Sequence, residues 1–374
     1  MSRLDAMHDA AGARWSEGPV RVPRNYGHPA AEYDVARSDV VVAERADRSI
    51  VRVHGRDPVK MVQGLISNDI VNAPANRAVY AAVLTPKGRM VADVRVVRHG
   101  ADLLLETDAA AAEPLMAHLR KFVPPLFAKF EDANDTWSEL GVYGPRARDV
   151  LAKLFGMDVD GDVVEDELFT TEIDGAPVIV VATSHFGVAG FDIIVAAHMA
   201  EGVWQDAIAA GARPIGFATL DVLRIEAGSP RWGAELIDTT IPLEAGLRDR
   251  AISQTKGCYT GQEVIVRILH RGHVNWLLRR VMLGDIAAPA PDTALVNEDG
   301  KKVGRITSAA WSAKYGQTIA LGYVRREVEP GTMVWLESVE GAQVEVVAID
   351  ADAPGTADAE PTLQNVPESH GSAP

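Results

Sequence analysis

One pattern occurs twice in this chain and restricts its fold more than any other feature. Ser49-Ile50-Val51-Arg52-Val53 alternates as a strand does, and Gly55 turns the chain. Asp57-Pro58 then supplies an N-cap and a first-turn proline for a helix carrying Met61, Val62, Leu65 and Ile66. Strands near 78–84, 90–98 and 102–107 follow, then a helix from about Asp108 to Phe122, and Pro124-Pro125 ends the unit. The order recurs from Leu140-Gly141-Val142-Tyr143-Gly144: a proline, a helix with Val150, Leu151, Leu154 and Phe155, strands near 167–173, 177–183 and 190–196, and a helix near 199–210. Sheet faces need helices to cover them, so the spacing predicts one α+β body built from a duplicated strand–helix–three strands–helix unit.

The rest of the chain divides around that body. Residues 1–35 are polar and proline-bearing and read as an N-terminal arm, 36–135 as the first repeat, and 136–272 as the second. A further helix is expected over Gly216–Ala227. From 273 to 350 short alternating strands with turn signals such as Glu298-Asp299-Gly300 predict a small β-barrel or sandwich. Residues 351–374, rich in Pro, Ala, Asp and Gly, read as a disordered acidic tail.

Composition excludes several classes. No apolar run approaches the roughly 18–20 residues of a membrane span, and the polar N-terminus has no apolar core of a secretion signal. The chain has one cysteine, which cannot close an internal disulfide and fits a reducing cytoplasm. A net charge of −15 argues against broad nucleic-acid binding. Against that background, Lys256, Arg267, Arg271, Arg279 and Arg280 face Glu263 alone between 256 and 280, a local excess that fits one bound anion or a solvated helix face.

The single cysteine lies in Lys256-Gly257-Cys258-Tyr259-Thr260-Gly261-Gln262-Glu263. Thr260 and Glu263 have capping-box spacing, and Val264, Ile265, Ile268 and Leu269 recur as on a helix. Cys258 should then sit just outside a helix N-terminus beside Lys256, a setting that favours a thiolate. Gly257 and Gly261 allow a tight turn and close approach of a ligand. Hydrolase chemistry lacks support: the histidines are scattered and no Gly-x-Ser-x-Gly elbow precedes a helix. His270 and His273 bracket the end of the motif helix, as solvated dipole partners or anion ligands. No Cys-x-x-Cys or His-Glu-x-x-His spacing points to zinc or a self-contained iron–sulfur cluster, and no stably bound metal is expected.

That octapeptide resembles the signature of the YgfZ family, tetrahydrofolate-binding proteins of iron–sulfur cluster metabolism, in the superfamily of the glycine-cleavage T-protein, an aminomethyltransferase. Gln63-Gly64, Asn68-Asp69, Leu84–Arg89, Asp93-Val94-Arg95 and Leu223–Gly228 add weaker matches along the chain. The resemblance implies a ring of three lobes holding tetrahydrofolate, or a one-carbon derivative, in a central channel. It also implies transient contact with iron–sulfur client or assembly proteins. A flat ring with an anionic tail needs apolar walls, polar ring partners and cations. Tyr80, Phe191, Trp232 and Tyr259 are the candidate walls, Asn68, Asp93 and Glu226 the ring partners, and Arg224, Arg231 and Lys256 the cations, with Gly261, Gln262 and Glu263 completing the binding set. Cys258, Lys256 and Asp93 are the candidate catalytic groups.

Two departures separate the chain from the T-protein pattern. The glutamate expected to meet the pteridine reads here as Val188, and an expected Asp-Asp pair reads as Ala92-Asp93. The primary expectation is therefore a folate-binding YgfZ-type protein that supports iron–sulfur assembly or repair through Cys258. The alternatives are a tetrahydrofolate-dependent aminomethyl- or methyltransferase with Asp93 as acid or base, and a non-enzymatic folate-binding module.

Overall fold

The computed structural model describes residues 3–17, 20–159 and 163–349. At the N-terminus α1 (Asp5–Ala10), a small ribbon of β1 (Arg14–Trp15) and β2 (Pro23–Asn25), and α2 (Pro29–Ser38) lead into β3 (Val41–Glu44). The segment is more than an arm on the surface. Leu4 and His8 are buried, and His8 Nε2 lies 2.8 Å from Glu44 Oε2 on β3.

The first repeat contains β4 (Arg48–Gly55), α3 (Pro58–Gln63), β5 (Val79–Leu84), β6 (Met90–His99), β7 (Asp102–Asp108), α4 (Ala112–Phe122) and β8 (Ala128–Asp132). The second contains β9 (Trp137–Tyr143), α5 (Ala147–Phe155), β10 (Leu168–Ile173), β11 (Ala176–Thr183), β12 (Gly190–Ala196), α6 (Ala200–Ala209) and the short β13 (Arg213–Pro214). The sheets run β5-β6-β7-β4-β8 and β10-β11-β12-β9-β3-β13, so the duplication extends to strand order. In both, the repeat's first strand lies between its last hairpin strand and a further antiparallel strand, β8 in one and β3 in the other. The two turn glycines also correspond. Gly55 and Gly144 have φ of +131° and +116°, and a Cβ on Gly144 would stand 2.3 Å from the Asp39 carbonyl oxygen, so no other residue fits there.

Each sheet is covered on its outer face by its own helices. Leu115 and Leu119 of α4 pack on Val51, Val94 and Leu105, whereas Val150 and Leu151 of α5 and Trp204 of α6 pack on Val142, Val180 and Ile193. The inner faces meet through Ile50, Val97 and Leu104 of one lobe and Trp137, Ile179 and Ile194 of the other. Each such aliphatic side chain contributes roughly 1.5–3 kcal/mol on burial.

α7 (Phe217–Ala227), α8 (Arg248–Ala251) and α9 (Gln262–Arg271) lead to a closed barrel of β14 (Trp276–Gly284), β15 (Ala294–Val296), β16 (Lys302–Ser312), β17 (Gln317–Arg325), β18 (Met333–Leu336) and β19 (Gln343–Val347). A third core of Leu84, Met90, Ile225, Tyr259, Ile265, Leu278 and Tyr323 fastens the barrel to the first lobe. The expected α+β body and β-barrel are thus present, and the expected tail lies outside the described residues.

Some local expectations need correction. α4 starts at Ala112 rather than near Asp108, because Asp108 ends β7. α3 stops at Gln63, leaving Leu65 and Ile66 in the turn that follows it. The capping box does not form: α9 has Gly261 at its N-cap, and Glu263 instead reaches Arg267 at 2.8 Å, one turn along.

Candidate functional site

Along β6 the residues alternate between two environments. Ala92 and Val94 enter the first lobe's hydrophobic core, whereas Asp93 and Arg95 face the other way. Asp93, Arg95, Glu106, Asp108 and Arg48 thereby share one sheet face and line a cleft of about 710 Å³ including its mouth. Thr183, His185, Phe186 and Asp192 close it from the second lobe, and Phe217, Arg224, Arg231 and Trp232 close it from α7 and the turn beyond.

The charges in this cleft are largely paired. Arg45 grips Asp47 with Nε and Nη2, both at 3.0 Å, and donates from Nη1 to Tyr143 Oη at 2.8 Å. Tyr143 donates in turn to Asp192 Oδ1 at 2.6 Å. Arg95 lies 2.5 Å from Glu106 Oε2 and 2.8 Å from Asp192 Oδ2, and Arg48 also pairs with Glu106. Burial alone would raise Glu106 and Asp192, but the surrounding arginines hold both below the usual carboxylate range. Arg224 is fully buried, bonded to Asp221 at 2.7 Å, Glu235 at 2.7 Å and Ser308 Oγ at 2.7 Å.

Three groups stand apart from this network. Asp93 accepts from Tyr80 Oη on Oδ2 at 3.1 Å, but its buried Oδ1 has no partner among the described residues. Arg231 is one-third exposed, 3.6 Å from Asp221 and stacked over Phe217 at 5.1 Å. His185 is held neutral, its pKa driven well below normal by burial and by Arg250 and Arg45. Arg250 stacks 4.2 Å over Tyr80, which fixes the wall below Asp93.

The expected site residues divide cleanly. Asp93, Tyr80, Arg224, Arg231 and Trp232 come together in the cleft. Phe191 instead packs in the second lobe's core. Asn68 Nδ2 donates to the carbonyls of Tyr80 and Arg250, and Glu226 is held by Tyr33 and Ser312. No residue of the octapeptide lines the cleft. Lys256 donates from Nζ to the carbonyls of Gln63, Ile66 and Asn68 at 2.6, 2.7 and 2.9 Å, so it ties the chain to the end of α3. Tyr259 enters the core beneath the barrel. Gly261 has φ +84°, and a Cβ there would stand 2.6 Å from the Thr85 carbonyl oxygen, so its freedom serves chain packing. Glu263 is exposed with Gln262 half-buried beside it, and Cys258 is an exposed free thiol.

Arg45, Arg48, Glu106, Asp108, His185, Asp192 and Arg250 are cleft residues the motif reading did not single out. Several carried a usable signal. A charged residue within an apolar strand, as in Leu103-Leu104-Leu105-Glu106 or Phe191-Asp192-Ile193, faces either a partner or a ligand.

The fold is thus a two-lobed α+β body joined to a closed barrel, with an arginine- and carboxylate-lined cleft between the two lobes. Residues 4–256 match the GCVT N-terminal domain and residues 279–353 the glycine cleavage T-protein C-terminal barrel domain. The chain is 30% identical over 331 residues, 87% of each chain, to an aminomethyltransferase of Rubrobacter xylanophilus. It is 27% identical over 365 residues, 92% of each chain, to one of Corynebacterium jeikeium. The glycine cleavage system aminomethyltransferase T of Bartonella henselae superposes with a TM-score of 0.81 at 19% identity, over 92% of this chain and 96% of that one, and so shares the fold. The chain belongs to the glycine cleavage T-protein family. These relatives are aminomethyltransferases, which favours the transferase alternative over the iron–sulfur reading.

Proposed function

We propose that the protein binds tetrahydrofolate in the central cleft and transfers an aminomethyl or related one-carbon group to it, with Asp93 as the acid–base residue. One observation carries this reading: Asp93 lines an aromatic- and arginine-lined cleft, and its buried Oδ1 has no protein partner among the described residues. Unpaired buried polar atoms cost free energy, and a ligand N–H would satisfy this one. The cleft's chemistry fits such a ligand. Trp232, Phe186 and Tyr80 offer flat surfaces for a ring, and Arg231 at the mouth is the cation least committed to other partners.

The departures noted in the sequence weigh less in three dimensions. Position 92 lies on the opposite face of β6, inside the core, so an acid there could not have reached this cleft. Position 188 packs beside Tyr143 and Phe186, and neutral His185 offers the cleft a donor and an acceptor from the same turn.

Tetrahydrofolate supplies the accepting nitrogen. Asp93 holds or takes the proton of that nitrogen, Tyr80 fixes the carboxylate through Oδ2, and the aromatic walls exclude water. The test is turnover of an aminomethyl donor with tetrahydrofolate by the purified protein. Activity lost in Asp93→Asn supports the reading, whereas a wild type that neither binds folate nor turns over overturns it.

Cys258 favours a second reading. Its exposed thiol within the YgfZ-like octapeptide, outside the cleft, fits a folate-binding protein that meets iron–sulfur clients through a separate surface. Complementation of iron–sulfur enzyme activity under oxidative stress tests it, and full function of Cys258→Ser counts against it.

A further inference from the structure

The hydrogen-bond register of β6 and β7 pairs Arg95 with Glu106, Val96 with Leu105 and Val97 with Leu104. Continued outward by two residues, it sets Asp93 opposite Asp108. Both line the cleft and both are buried, at 6% and 8% exposure. Opposed like charges across an antiparallel pair are unfavourable, and two carboxylates sharing a buried site do not both ionise readily.

We propose that Asp108 is the cleft's second proton-transfer group, facing Asp93 across the two strands and protonating the leaving group while Asp93 takes the proton of the attacking nitrogen. The inference rests on the transfer reaction assigned above. The surroundings divide the two roles. Asp93 already receives a hydrogen bond from Tyr80 Oη, the arrangement a proton acceptor needs. Asp108 receives one backbone N–H, from Ala110 at 2.9 Å. Burial raises Asp108, and Arg48 opposite it on β4 pulls it down. The negative charges of Asp93 and Asp47 raise it further, and the net shift is upward. Of the nearby arginines, Arg48 also pairs with Glu106, Arg95 is engaged by Glu106, and Arg45, in the turn before β4, is engaged by Asp47.

The step balances without any oxidant. The acceptor is a secondary amine carrying one N–H, and the donor is an aminomethyl group bonded through its carbon to a leaving group. A bond forms from the amine nitrogen to that carbon, and the bond from the carbon to the leaving group breaks, its electron pair departing with the leaving group. The nitrogen's proton passes to Asp93, and the proton of Asp108 passes to the leaving group. Return of one proton from Asp93 to Asp108 resets the pair.

The experiment combines carboxyl titration with kinetics. The side-chain carboxyl of Asp108, followed by carbon-13 NMR in the whole protein, should titrate above the usual aspartate range and move down in Asp93→Asn. An Asp108 titration that is unchanged in Asp93→Asn overturns the pairing. Asp108→Asn keeps the acceptor for the Ala110 N–H, so it should bind tetrahydrofolate within about twofold of wild type while turnover falls roughly 10²–10⁴-fold, the usual range for a lost proton-transfer group. Turnover that survives Asp108→Asn overturns the donor role alone. A wild type without turnover overturns the assigned reaction, and the donor role with it.

Discussion

Tyr80 donates its phenolic hydrogen to Oδ2 of Asp93 at 3.1 Å, and Oδ1 of the same carboxylate has no hydrogen-bond partner among the described residues. The tyrosine itself is locked by the Arg250 guanidinium stacked on its ring. Burial and the Asp93 charge push the Tyr80 hydroxyl pKa well up, so it remains a donor at any physiological pH. The carboxylate is thus oriented by one oxygen and available through the other.

Replacing Asp93 separates chemistry from folding. Asp93→Asn retains an acceptor for Tyr80 and leaves no buried partner unpaired, so the urea midpoint should change little. Turnover with an aminomethyl donor should fall roughly 10²–10⁴-fold. Parallel measurement of unfolding and turnover checks this.

Arg95 is the opposite case. It joins Glu106 of its own sheet to Asp192 of the other lobe, and its loss takes one of two arginines from each buried carboxylate, leaving Arg48 on Glu106 and Arg45 on Asp192. Arg95→Met should cost about 3–5 kcal/mol, the range for breaking one side of a buried ion pair. Chemical denaturation should show it as a lower midpoint.

Glu139 should make stability depend on pH. Both its oxygens are buried without hydrogen-bond partners among the described residues, and burial together with Glu106 and Asp192 raises its pKa well above normal. A raised acid binds its proton more tightly when folded, so its contribution is fully present below the ordinary glutamate range and is lost as pH rises above it. Glu139→Gln should flatten that loss, matching wild type near pH ~4 and exceeding it at pH ~7 in thermal unfolding.

Lys256 supports the fold from within the octapeptide. Lys256→Met leaves three carbonyls around α3 without their donor, and each unsatisfied buried group costs roughly 1–3 kcal/mol. Cys258→Ser changes an exposed side chain, so it should leave stability within about 0.5 kcal/mol of wild type. Thermal melts of the two variants distinguish the structural residue from the exposed thiol.

The parts of this architecture written as periodicity were legible in the chain. The repeated strand–turn-glycine–helix pattern gives both sheets, and the short alternating strands give the barrel. α2 also had a signal, a proline at its start with Tyr33 and Ala36 one turn apart on a buried face, but its polar company masked it. β3 is a four-residue run buried on nearly every side, where period-two alternation disappears. The site was less legible for a different reason. A motif compact in sequence drew attention to Lys256 and Glu226, whose partners lie on distant segments and use up their bonding capacity. The cleft is assembled from single charged residues scattered over β4, β6 and β7, which only strand register shows to share a face, and over β12 of the facing lobe.

Calorimetric titration of tetrahydrofolate into the wild type and into Asp93→Ala tests the central claim most directly. The account predicts one site per chain in the wild type and affinity at least about tenfold weaker in the variant, equivalent to about 1.4 kcal/mol for the lost ring contact. Equal affinity in the two proteins, or no binding by the wild type, would contradict it.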